Sequence, residues 1–209
     1  MSKGIARPAR AGGCWLALVL MLVAGAPVVA RSAEPVERLS VPGPLRLDGQ
    51  GYHFAWSSHP TPDFYKQEYL PAGQTLDRYR QMLVLDLLAV DATPAQLAAA
   101  KIAELKARKQ ADPLVNHDLV VKQDGSAALL DFVLSAPDAQ GDLVVEWNAY
   151  RYQALPEGVL LFGISRRAYG HEEARRFLGE ELRQNRSRWI DEVAGLDMPA
   201  ISLRPPSQP

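Results

Sequence analysis

Between residues 118 and 167 the chain offers four apolar segments set so close together that only one kind of pairing is open to them. Segments 118–123 and 127–135 are separated by Asp124-Gly125, a dipeptide suited to a tight hairpin turn. A polar turn over 136–142 leads to segment 143–153, and Leu155-Pro156-Glu157-Gly158 leads on to 159–167. Parallel neighbours need a crossover of a dozen or more residues, and these links are too short to hold one. The four segments therefore read as an antiparallel meander. Two of them, Leu129-Leu130-Asp131-Phe132-Val133-Leu134 and Val159-Leu160-Leu161-Phe162-Gly163-Ile164, are apolar on both sides. A sheet with one wet face alternates instead, so the pattern predicts helices over much of both faces.

The rest of the chain supplies those elements. Residues 45–57 read as strand, with a turn at Asp48-Gly49 and period-two aromatics at Tyr52, Phe54 and Trp56. A loop carrying Pro60 and Pro62 precedes a strand over 64–70. Glu68-Tyr-Leu-Pro-Ala-Gly-Gln-Thr-Leu-Asp77 then turns the chain: Pro71 and Gly73 shape the bend, and Thr75 is suited to cap a short helix over 76–82. Residues 83–89 read as strand, with one continuous helix to Leu88 as the alternative. Asp91-Ala-Thr-Pro-Ala-Gln96 is a helix start. Thr93 caps, Pro94 takes the first helical position, and Gln96 closes a capping box. That helix is expected to reach about Gln110, with Ala98, Ile102 and Leu105 inward, and Asp112-Pro113 stops it. A last helix is expected over 172–194, with Ala174, Phe177, Leu178, Leu182, Trp189 and Val193 as its apolar stripe and Gly195 at its end. The expected fold class is α+β: a mostly antiparallel central sheet of about six to seven strands with helices packed on both faces. It would occupy residues 44–198, after a flexible lead-in over 31–43 and before a tail over 199–209.

Residues 1–30 read as a secretory signal peptide. Lys3, Arg7 and Arg10 precede the apolar run from Cys14 to Val23, and Val28-Val29-Ala30 fits a cleavage site. An uncleaved anchor is the competing reading. Cleavage would remove three of the 23 basic groups and none of the 24 acids, changing the net charge from −1 to −4. It would also remove Cys14, the sole cysteine, and with it any disulfide or thiol chemistry. The expectation is a periplasmic or secreted protein with no integral membrane span after leader removal, no affinity for nucleic acid and no cofactor.

Motifs for chemistry are sparse. His53, His59, His117 and His171 have no metal-ligand spacing on one element. The sequence has no Gly-x-Ser-x-Gly elbow and no glycine-rich turn between a strand and a helix. Charged residues inside apolar segments stand out instead. Asp86, Asp131 and Glu146 interrupt such runs, and Asn148, Arg151, Arg166 and Arg167 lie near them in sequence. A buried carboxylate must be paired or shift its pKa. The plain reading is a structural ion pair. The sharper one is a polar pocket for a small ligand, with Asp131, Glu146 and Arg166 as the candidate residues.

The order of elements over 44–198 resembles the PsbP-like fold, a sheet between helices found in extrinsic subunits of photosynthetic membranes. The segment Glu68-Tyr-Leu-Pro-Ala-Gly-Gln-Thr-Leu76 is similar to one in uncharacterised exported proteins of proteobacteria. The PsbP-like resemblance implies a binding or accessory role beside a membrane complex. The functional expectation is an exported, non-catalytic binding or accessory module of the cell envelope, whose partner is an envelope protein or a small ligand. Two alternatives stand beside it: a carrier of a small apolar ligand or lipid, and an enzyme using Asp131 and Glu146.

Overall fold

The computed structural model of the chain describes residues 35–203. The expected leader, with its cleavage site and Cys14, lies outside the described residues, as does the end of the tail. The first four strands are β1 (Leu45–Leu47), β2 (Gln50–Thr61), β3 (Phe64–Pro71) and β4 (Gln81–Leu88). Helix α1 (Pro94–Arg108) follows, and then β5 (Asn116–Val121), β6 (Ala127–Pro137), β7 (Leu143–Leu155) and β8 (Gly158–Tyr169). A C-terminal helix closes the order in three continuous parts: α2 (His171–Arg176), a π turn (Phe177–Leu182) and α3 (Arg183–Gly195).

All strands pair antiparallel in one sheet of order β1-β2-β3-β4-β8-β7-β6-β5. It consists of two four-stranded meanders joined where β4 meets β8. The chain must therefore travel from β4 to the far edge at β5, four strand spacings or about 19 Å away. Helix α1 makes that journey: its 15 residues at 1.5 Å each reach about 22 Å. Its capping box is the expected one, with Gln96 N–H donating to Thr93 Oγ1 and Thr93 N–H donating to Gln96 Oε1. Ala98 and Leu105 are buried against the sheet and Ile102 is half-buried. The strand expected over 83–89 is part of β4, and the hairpin turn at Asp124-Gly125 joins β5 to β6.

Side chains alternate across the sheet and divide the core into two clusters. One face carries Tyr52, Tyr69, Leu83, Leu85, Trp147, Phe162 and Ile164, joined by Phe177, Trp189 and Val193 of the C-terminal helix. The opposite face carries Val84, Leu130, Phe132, Tyr152 and Leu161, joined by Ala98 and Leu105 of α1. These are called the Trp147 face and the Tyr150 face below.

The expected fold class needs correction. The structure is dominated by one curled sheet of eight strands with only two helices among the described residues, and it is not a PsbP-like sandwich between helical layers. Helix α1 packs chiefly on β5, β6 and β7, and the C-terminal helix on β7 and β8, so the first meander has no helical layer. Strands apolar on both sides do not need one when the sheet curls and a chain segment covers it. That segment is the lead-in, expected to be flexible. Leu39 and Val41 are buried in the Trp147-face cluster. The N–H groups of Arg38 and Leu39 donate to Gln67 Oε1, and Tyr69 Oη donates to Val41 O at 2.6 Å.

Two local expectations also change. Residues 76–82 form no helix: the Arg78 N–H donates to Thr75 O at 3.2 Å in a tight turn, and β4 starts at Gln81. Residues 57–61 extend β2 to Thr61 despite Pro60.

Candidate functional site

Strand β8 brings Arg166 to the Trp147 face, in line with Ile164 and Phe162 and opposite Gln81 of β4 and Trp147 of β7. Arg166 is only 8% exposed. Its guanidinium carbon sits 4.1 Å from the centre of the Trp189 ring, a stacked cation–π contact. No carboxylate among the described residues lies within 4.0 Å of it, and its Nε has no hydrogen-bond partner there. Burial lowers its pKa, since removing a guanidinium from water disfavours the charged form.

Trp189 repeats the pattern. It is 6% exposed, and its Nε1–H is buried with no acceptor. Buried donors are nearly always paired, so two orphans in contact call for an explanation. A cavity of about 110 Å³ adjoins both, lined by the charged side chains of Arg80, Arg166, Arg167, Glu173 and Glu181 and by Gln81, Ala168, Phe177 and Trp189. That far exceeds the roughly 10–15 Å³ that one water needs. The other charges at the cavity are matched in pairs: Arg80 with Glu173, Arg176 with Glu181 and Arg167 with Glu146. Arg166 has no carboxylate that near; Asp48 and Glu192, both held by Arg188, favour its charge from farther away. The far wall is ordered by Tyr52, whose hydroxyl donates to Gln81 Oε1 at 2.6 Å and whose pKa burial pushes up to about 12.

The π turn shapes this cavity. Phe177 and Leu182 are five residues apart, and both are buried. In a regular α-helix that spacing would splay them about 140° apart; the wider turn returns them to one side. It also sets where Trp189 lands on the sheet. π turns recur at functional sites.

The structure separates the three candidate residues. Asp131 of β6 lies on the Trp147 face, accepting from Trp147 Nε1 at 3.2 Å and from both Nε and Nη2 of Arg186 at 2.7 and 2.8 Å. Glu146 of β7 lies on the Tyr150 face. It accepts from Tyr79 Oη at 3.1 Å and Asn148 Nδ2 at 3.0 Å, and it pairs with Arg167. Asp131 and Glu146 thus point to opposite sides of the sheet and share no cleft, which removes the geometric basis for a carboxylate pair. Each has the structural role of a paired ion. Arg166 alone of the three has no ion-pair partner within 4.0 Å.

Asp86, the third buried carboxylate, lies on the Tyr150 face, 3.6 Å from Lys66 Nζ. One of its oxygens has no donor, and burial raises its pKa to about 6 against the pull of Lys66. A larger hollow of about 280 Å³ beside β5 is apolar, walled by Val120, Leu129 and Ile190, and presents no buried orphan group. Among the described residues no set of three His, Cys, Asp or Glu side chains is grouped to hold a metal ion. No helix there is long and apolar enough to cross a membrane.

The sequence marked Arg166 as a charge in an apolar strand. It did not mark Trp189 as part of a site, because Trp189 falls on the apolar stripe of its helix. Gly179, inside the π turn, was the one available sign of irregularity there. No curated protein and no solved structure matches the chain. A family model matches residues 39–198, which takes in every strand and both helices among the described residues and the Arg166 cavity, and the chain belongs to that uncharacterised family.

Proposed function

We propose that this domain is an exported, non-catalytic binding module that takes a small ligand bearing a carboxylate or phosphate at Arg166. One observation carries the reading: Arg166 is buried at the cavity with no carboxylate within 4.0 Å, and it stacks on an indole whose own N–H lacks an acceptor. An anionic group in the cavity would meet the Arg166 guanidinium and offset the cost of burying the cation. The aromatic walls, Phe177 and Trp189, suit an apolar part attached to the anion. Export rests on the basic n-region and apolar run of the first thirty residues.

The test is native mass spectrometry of the chain purified from its own host's cell envelope. The expected result is an added mass that disappears on denaturation and is missing from the Arg166→Met variant, on a chain that begins near Arg31. A chain free of ligand, with no small anion retained by wild type over the variant, would overturn the reading.

A further inference from the structure

Strand β5 is an outer edge of the sheet, and it is an unusual edge. Leu119, Val120 and Val121 are consecutive and 38%, 66% and 41% exposed. Natural edges are normally blunted by charge, proline, a bulge or a covering segment, because an open row of N–H and C=O groups invites another strand.

The backbone shows which groups are open. Lys122 N–H donates to Ala127 O at 2.9 Å, so Lys122 is a hydrogen-bonded partner of β6. Alternation along an antiparallel ladder then turns the backbone groups of Asp118 and Val120 toward β6 and those of Leu119 and Val121 away from it. The outward N–H and C=O of residues 119 and 121 are spaced to exchange hydrogen bonds with the same two residues of another copy.

We propose that β5 pairs antiparallel with β5 of a second copy of this chain, about a two-fold axis through Val120. The charges choose this register. It sets Asp118 opposite Lys122 on both sides of the axis, Leu119 opposite Val121, and Val120 opposite itself. A register centred on Leu119 would face Asp118 with Val120 and leave both charges unpaired. Asp118 is free to take part, since its side chain is 69% exposed even while it meets Arg186 of its own chain. Cross-strand pairs of opposite charge and of β-branched residues both favour association. The contact is isologous and closes at two copies. It keeps like faces together, so the apolar hollows beside Val120 come to lie side by side on one surface. This inference is independent of the ligand cavity at Arg166.

The test is sedimentation equilibrium of the full-length chain and three variants. Wild type is expected to form a reversible dimer. Val121→Pro removes an N–H that points away from β6, so it should abolish the dimer and, at concentrations low enough for wild type to be monomeric, leave the denaturation midpoint unchanged. Lys122→Asp sets acid against acid and should weaken the dimer about tenfold or more. The Asp118→Lys/Lys122→Asp double variant restores opposite charges and should recover most of the loss, which also decides the question if the proline variant fails to fold. A wild-type monomer at all concentrations, or a dimer that neither Val121→Pro nor Lys122→Asp weakens, would overturn the proposal.

Discussion

The ring of Tyr150 lies over Gly163, its cross-strand partner: a Cβ added at position 163 would come within 2.6 Å of Tyr150 Cδ1 and 2.8 Å of Cε1. Tyr150 cannot swing aside freely, because the edge of Phe132 closes on it with ring centres 5.0 Å apart at 89°. Space, not backbone conformation, requires the glycine. Gly163→Ala is expected to destabilise the fold by about 1–3 kcal/mol, the usual cost of overpacking a filled core. Urea denaturation followed by circular dichroism measures it, and an unchanged midpoint would show that the ring moves without cost.

Asp131 and Arg186 fasten the C-terminal helix to the sheet. The carboxylate is 4% exposed and accepts a two-pronged bond from the guanidinium, which also meets Asp118. Those acids favour the charged guanidinium and raise the Arg186 pKa. Arg186→Met would leave Asp131 buried with only Trp147 Nε1 as donor. Losing one partner of a fully buried pair costs about 3–5 kcal/mol. Arg186 is 38% exposed, so about 2–3 kcal/mol is expected after that discount. The Asp131→Asn/Arg186→Met double variant should recover part of this, since no unpaired charge remains; thermal denaturation of the three proteins gives the comparison.

Features written within a few residues were legible in the sequence. Thr93 and Gln96 cap α1 as their spacing requires, and Asp124-Gly125 turns the hairpin it signals. Features set by pairing between distant strands were not. Asp131 and Glu146 both look like acids inside apolar runs. Only the β6–β7 register, with Asp131 opposite Ala149 and Glu146 opposite Leu134, puts them on opposite faces. Thr75 has the chemistry of a helix cap, but the pairing of Gln81 with Arg166 commits the chain to β4 before a helix can form. Apolar residues on both strand faces demand cover, but not of necessity helical layers. Burial of Leu39 and Val41 against the sheet answers much of that demand on the first meander. The π turn is a matter of how the C-terminal helix seats on β8, and Gly179 alone hints at it.

Asp86 should make stability depend on pH in a direction opposite to an ordinary paired acid. Its folded pKa is about 6, above the ordinary aspartate value of 3.8, and burial is the chief cause. Below about pH 4 both the folded and unfolded forms hold the proton, and the group is neutral in its effect. As pH rises from about 4 to about 6, the unfolded chain releases the proton first, so the folded form is progressively disfavoured. Each pH unit of that gap is worth about 1.4 kcal/mol, which puts the loss at up to ~3 kcal/mol. Asp86→Asn lacks this term. The stability of the variant relative to wild type should therefore increase between pH 4 and pH 6 and level off above, as read from denaturation midpoints across that range. A difference flat with pH would show that Lys66, 3.6 Å away, holds the acid charged throughout.

Arg166 separates a structural role from a binding one. A buried cation without a carboxylate partner costs desolvation, and its compensation here is the stack on Trp189, which is worth about 0.5–2 kcal/mol. Methionine keeps much of the volume and removes the charge. Replacing a buried charge by an apolar group of similar size is commonly neutral or stabilising. In the ligand-free protein, Arg166→Met is therefore expected to melt at the wild-type temperature or above it. Residues kept for binding often oppose stability in this way. A structural arginine would behave otherwise: the variant would lose stability, and Arg166→Lys would restore some of it. The measurement is the melting temperature of both variants with and without added small anions. The binding role predicts that anions raise the wild-type melting temperature and leave that of Arg166→Met unmoved.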